Sequence, residues 1–206
     1  MVIHLRYRPG CFVTKGSCLF TVITQPDKTV SEELKTLILD TTIMGRYRTP
    51  EQDIEFTVNQ LVEIAARALS PGINDPFTAL ACIDRLGEAM CILSGRGFPV
   101  AERLDDEHNV RLITKPVTFL GIINSAFDQL RQYGKTSVAV SVRLMEALTR
   151  IAEQVTNQEQ LDAVKRQADM VIRASDRSLS EQNDMTDMKQ RYQECLDALS
   201  QSQSMS

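Results

Sequence analysis

Apolar positions recur at helical spacing through most of this chain, but not at its start. Ile54, Val58, Leu61, Val62, Ala65 and Leu69 fall on one side of a helix. Phe77, Leu80, Ala81, Ile83, Leu86 and Met90 repeat the pattern after a short break and predict a helix running to about Ser94. Phe119, Leu120, Ile123, Phe127 and Leu130 predict a helix over 117–133, with Gly134 as its cap. Val138, Val142, Met145, Leu148, Ile151 and Ala152 predict one over 137–155, and Leu161, Val164, Ala168, Val171 and Ile172 one over 158–175. A more polar helix over 185–199 carries a thin stripe of Met188, Tyr192, Cys195, Leu196 and Leu199, which either packs on the body or pairs with a second copy. Residues 2–24 behave differently. Val2, Ile3, Leu5 and Tyr7, then Phe12–Val13 and Leu19–Ile23, are short runs separated by Pro9-Gly10 and Lys15-Gly16, the punctuation of β structure.

The breaks between these runs are as informative as the runs. Thr49 with Gln52 matches a capping box, and Pro50 suits the first helical position, where its missing N–H is no loss. Glu51 and Asp53 place negative charge in that first turn, which suits the helix dipole. In Ser70-Pro71-Gly72-Ile73-Asn74-Asp75-Pro76, Pro71 disfavours helix at Ser70 and Gly72 permits a positive φ. Asp75-Pro76 then forms a second cap and start, so the segment is a helix–turn–helix corner. Thr29 and Glu32 form another box, opening a helix over 31–39, and Thr41–Arg48 returns as a strand through Ile43, Met44 and Tyr47. Val100–Leu104 and Val110–Thr114 flank the acidic turn Asp105-Asp106-Glu107 and read as a hairpin. The fold class is α+β. A small N-terminal β module with one helix (1–48) precedes a mainly α-helical bundle with a short hairpin insert (49–199), and a Ser/Gln-rich disordered tail closes the chain (200–206).

Composition narrows the function classes. At 206 residues the chain has enough material for a real core, and 43% of it is hydrophobic. A net charge of −4, with no basic stripe interleaved with aromatics, argues against nucleic-acid binding. The five cysteines are an odd, irregularly spaced set without a C-x-x-C pair. Cys82 and Cys91 share one helix about 13 Å apart, too far for a disulfide, so reduced thiols in a cytosolic compartment are expected. With two histidines, His4 and His108, no zinc site and no other cofactor is expected. No signal peptide pattern opens the sequence, and no apolar run approaches the length of a membrane-spanning helix. There is no P-loop, no dinucleotide glycine motif and no nucleophile elbow around Ser70.

Two segments carry a resemblance. RPGCFVTKGSCLFTVI is similar in architecture to the small β modules of biotinyl and lipoyl carriers, without the context of their attachment lysine. That phrase, together with GRYRTPEQDIEFTVNQLVEIAARALSPGINDPFTALACIDRL, resembles the C-terminal soluble part of a bacterial family of predicted membrane proteins, domain of unknown function 2254. The resemblance covers roughly residues 2–200. It implies a parent with several transmembrane helices ahead of this region and a place at the cytoplasmic face of the membrane. It implies no reaction and no catalytic residues.

The polar residues of the signature segment are the candidate site: Arg46, Arg48, Asp53, Arg67, Asn74 and Asp75. Two arginines just ahead of a helix N-terminus suit a phosphate, a lipid headgroup or a partner's carboxylate. The alternative is structural: they pair with Asp53 or Asp75 and pin the corner, while Glu63 and Arg67 form a surface pair. His108 reads as a solvated loop residue. The functional expectation is a non-enzymatic cytoplasmic oligomerisation or regulatory domain, a homo-oligomer attached to a membrane-embedded segment. The alternative is a small-ligand or anion-binding domain, or an enzyme, with a pocket where Arg46 and Arg48 meet the SPGIND corner.

Overall fold

The structure is a computed structural model that describes residues 1–27 and 29–205. Its elements are, in order, β1 (Val2–Leu5), β2 (Phe20–Ile23), α1 (Glu32–Asp40), α2 (Ile54–Ala68), α3 (Pro76–Ser94), β3 (Glu102–Leu104), β4 (Val110–Ile113), α4 (Phe119–Gly134), α5 (Val138–Ala152), α6 (Gln158–Ser178) and α7 (Gln182–Met205). The class is α+β, as the periodicity predicts. The chain divides into two compact units. One holds residues 1–56 and 98–117, the other 57–97 and 118–206.

The first unit is built on a four-stranded sheet in the order β2-β1-β4-β3. β1 runs antiparallel to β2, with His4 opposite Thr21, and parallel to β4, with Ile3 opposite Leu112. β3 and β4 form an antiparallel hairpin with an irregularity at Arg103/Leu104. The hairpin expected as an insert in the helical bundle therefore completes the N-terminal sheet instead. A two-stranded hairpin of three and four residues is marginal alone, and pairing with β1 gives it the further strands it needs. Asp105 closes its turn, accepting hydrogen bonds from the N–H groups of Glu107 and Asn109 (3.0 and 2.9 Å), while His108 takes a φ of 62° in an exposed loop. α1 opens with Ser31, whose hydroxyl accepts from the Leu34 N–H, so Ser31 and not Thr29 is the cap. The strand expected over Thr41–Arg48 does not form. No partner strand is offered to it, and the segment runs irregularly. Among the described residues, the one buried residue of this unit is a carboxylate, Asp53.

The second unit contains the apolar core. Ile83, Leu86 and Met90 of α3, Phe119, Ile122, Ile123, Phe127 and Leu130 of α4, and Leu144, Met145, Leu148 and Ile151 of α5 are all removed from solvent. α5 packs against α3, α6 and α7, and α4 packs against α6. Phe77 and Ala81, expected on the core face of α3, point outward. Ala79 and Cys82 take inner positions beside Ile83, Leu86 and Met90, which stay on the core face as predicted. At the corner, Asp75 caps α3 as predicted, accepting from the Thr78 N–H. The left-handed residue is Asn74 (φ 48°) and not Gly72.

The stripe on α7 is used inside this unit, since Met188, Cys195 and Leu199 are buried. α7 also continues through the Ser/Gln-rich stretch assigned to a disordered tail. Ser202 is buried there, and its hydroxyl donates to the Ala152 carbonyl at 2.7 Å. Another buried polar side chain links two helices of this unit. The Gln160 side chain donates to the Ser94 carbonyl and accepts from the Thr156 N–H, both at 3.0 Å, tying α6 to the end of α3.

Candidate functional site

The Pro9-Gly10 turn and the irregular segment after α1 border an open cavity of about 810 Å³ in the first unit. Its walls come from residues 9–13, 43–49 and 51–53. The geometry is set by one ion pair. Arg48 Nε donates to Asp53 Oδ2 at 2.7 Å, and the Asp53 side chain is 5% exposed. The other carboxylate oxygen, Oδ1, accepts from the Phe56 N–H at 3.2 Å and so caps α2. Helix α2 therefore begins at Ile54, and the capping box expected at Thr49 and Gln52 is not used. Asp53 is at least as good a cap as Thr49, and it alone also reaches Arg48.

Gly10 makes this arrangement possible. Its φ is +82°, a region L side chains avoid. A Cβ at Gly10 would overlap Asp53 Oδ2 and lie 3.2 Å from Arg48 Nε. The chain turns over the ion pair with backbone alone. Arg48 also lies over the Phe56 ring, 5.6 Å from its centroid, an additional cation–π contact. Its hydrogen bond to Asp53 raises its pKa above the usual arginine value, against an opposing desolvation effect. Arg8 and Glu55 form a second ion pair in the same unit. Glu51, on the cavity wall, is held below the usual carboxylate range, chiefly by the hydrogen bond from the Thr49 hydroxyl.

The six predicted residues thus divide. Arg46, Arg48 and Asp53 line one cavity. The anion at the N-terminus of α2 is supplied by the chain itself, as Asp53, so Arg48 is committed. Arg46 is exposed and makes no hydrogen bond or ion pair among the described residues. Arg67, Asn74 and Asp75 belong to the second unit and have local roles. Arg67 pairs with Glu63 at 2.6 Å, Asn74 turns the chain, and Asp75 caps α3. The Thr78 hydroxyl, 2.5 Å from Asp75 Oδ2, holds that carboxyl below its ordinary range.

The sequence reading missed the apolar half of the site. Phe12, Ile43 and Tyr47 line the cavity yet are 90%, 96% and 87% exposed, and Met44 is 62% exposed. A signal was present. Ile43, Met44 and Tyr47 sit within a few residues of Arg46 and Arg48, between two helices, where the pattern predicts a strand and offers no partner for it. Among the described residues no group of three or more His, Cys, Asp or Glu side chains is placed to hold a metal ion, and the five cysteines are free thiols. No helix among them is long and apolar enough to cross a membrane.

Comparison with known proteins adds a family. Residues 1–150 match DUF2254, described as predicted membrane protein. An uncharacterized protein of Mycobacterium bovis and its counterparts in two strains of Mycobacterium tuberculosis are each 31% identical over 141 residues. That stretch is 68% of this chain and 27% of theirs, so the chain matches about a quarter of the length of these relatives. No solved structure matches.

Proposed function

The chain belongs to this DUF2254 family of predicted membrane proteins, and from that premise we propose that it is an extramembrane, non-enzymatic domain that acts by contact. In this reading it lies on the cytoplasmic side and positions or regulates the membrane-embedded part of a parent protein. One observation carries the proposal. The first unit buries no apolar side chain among the described residues, yet it exposes Phe12, Ile43, Met44 and Tyr47 around one recess. Burial of such a side chain is worth about 1.5–3 kcal/mol. A unit that leaves four of them in water is completed by a partner. The non-catalytic reading is supported by the partners of the charged groups that line the site: Arg48 pairs with Asp53 and Glu51 accepts from the Thr49 hydroxyl, which leaves Arg46.

The test is size-exclusion chromatography with light scattering over a concentration series, together with lipid-vesicle sedimentation, on the wild type and on Ile43→Ser/Tyr47→Ser. The expected result is an association, with a second copy or with a membrane, that the double variant weakens. A wild-type chain that is monomeric throughout and leaves vesicles untouched would refute the contact reading. A second reading has its own observation: about 810 Å³ suits a small molecule. There Arg46 would take a ligand carboxylate or phosphate. Calorimetric titration with inorganic phosphate should then show saturable binding that Arg46→Gln abolishes.

A further inference from the structure

We infer that the partner of the Phe12–Tyr47 surface is the headgroup layer of an anionic bilayer; this rests on the contact reading above and names its occupant. The residue types fit an interface better than a dry protein–protein core. Tyr47 and Arg46 are neighbours in sequence, and both combine an apolar body with a polar tip. Tyrosine is enriched at headgroup depth, and arginine extends its guanidinium out of apolar surroundings into water. Phe12 and Ile43, at 90% and 96% exposure, supply groups able to enter the acyl boundary without first leaving a packed site. The apolar exposure also continues back along the chain. α1 buries none of its side chains and leaves Leu37 at 64% and Leu39 at 52%.

Charge distinguishes the two arginines. Arg48 is neutralised by Asp53, whereas Arg46 lines the same cavity without a partner among the described residues. Docking on a phosphate headgroup therefore breaks no existing ion pair at Arg46. The chain as a whole carries −4 and Glu51 lines the same cavity, so long-range electrostatics oppose an anionic surface and the contact at Arg46 must act within about a Debye length. The affinity of the free chain is accordingly modest. In a membrane protein that is sufficient, because attachment holds the domain near the bilayer at high effective concentration.

The experiment is co-sedimentation of the 206-residue chain with vesicles of phosphatidylcholine alone and of phosphatidylcholine mixed with phosphatidylglycerol. The wild type should bind the mixed vesicles more tightly. Ile43→Ser/Tyr47→Ser should weaken binding to both by about tenfold or more. Arg46→Gln should weaken binding to the anionic vesicles by about fivefold and leave the neutral ones unchanged. Phe77→Ser, at a side chain 79% exposed in the other unit, is the control and should change nothing. Unaltered circular dichroism establishes that each variant is folded. Absence of wild-type binding, or an equal loss in Phe77→Ser, overturns the inference. If vesicles are not bound but light scattering shows self-association that the double variant abolishes, the occupant is a second copy: the bilayer inference falls and the contact reading stands. If neither occurs, both fall.

Discussion

Gly10→Ala tests whether the candidate site is organised around the Arg48–Asp53 pair. The backbone at Gly10 has a φ of +82°, where an L residue costs about 1–2 kcal/mol. The added methyl would also overlap Asp53 Oδ2. With its side chain 5% exposed, Asp53 cannot move aside without surrendering the cap on Phe56 N–H, worth about 1 kcal/mol, and the link to Arg48. Arg48 is 37% exposed, so solvent screening limits that link to about 1 kcal/mol. The sum is roughly 3–4 kcal/mol. Gly16 supplies the matched control, with a φ of +88° and nothing within 4 Å of its added Cβ. Gly16→Ala should cost the backbone share alone, about 1–2 kcal/mol. A chain of two compact units has no single melting temperature to compare, so the assay is amide hydrogen exchange, read on peptides covering 2–5, 20–23 and 54–56 against α5 as internal reference. Exchange in Gly10→Ala should exceed that in Gly16→Ala by about thirtyfold, the equivalent of about 2 kcal/mol. Equal effects of the two substitutions would refute the reasoning. So would a Gly10→Ala effect that persists undiminished in an Asp53→Ala background, because sites that act through one contact are not additive.

Other consequences follow in the helical unit. Gln160→Ala leaves the Ser94 carbonyl and the Thr156 N–H without their partner and should cost about 2–3 kcal/mol, seen as faster amide exchange in α3 and α6 with the first unit unchanged. The Tyr192 hydroxyl donates to Asp169 at 2.5 Å, and chiefly for that reason its pKa is raised to about 12. Its contribution is therefore complete below the unfolded value of about 10 and disappears as pH rises from there towards 12. Tyr192→Phe should remove the tyrosinate absorbance that titrates near 12 and flatten that alkaline loss of stability. Asp75 has the opposite sign. Its lowered pKa makes its contribution present above the ordinary aspartate value and lost as pH falls through the folded one, and Thr78→Val should return its carbon-detected NMR titration towards the ordinary range.

The helical unit was largely legible because its information is local and repetitive. Five apolar faces predicted α2 to α6, and Asp75-Pro76 fixed the start of α3. Errors arose where a distant contact chose between acceptable local options. Thr49 and Asp53 both make good caps, and Asp53 prevails because Arg48 and the bare backbone of Gly10 meet its second oxygen. β3 and β4 read correctly as a hairpin, but nothing local reveals that β4 pairs with a strand whose residues lie more than a hundred positions earlier. The end of α7 reads as a tail in the sequence because serine and glutamine are common in disordered chains. Burial of Ser202 and its bond to Ala152 hold the helix there.

The segment from Ile43 to Arg48 carries the more general lesson. Its apolar residues suggested a strand, and a strand requires a neighbour whose N–H and carbonyl groups complete the ladder. Here the sheet is already filled in the order β2-β1-β4-β3, and this segment is not in it. Without a neighbour, Ile43, Met44 and Tyr47 stay in water, a poor arrangement if the fold were their destination. The same unit has no buried apolar side chain among the described residues to compensate. Under the contact function proposed above, apolar burial in this unit would be completed by the partner. In the contact reading proposed above, the strand prediction and the surface share a cause: both arise from apolar residues that the described residues leave without a neighbour.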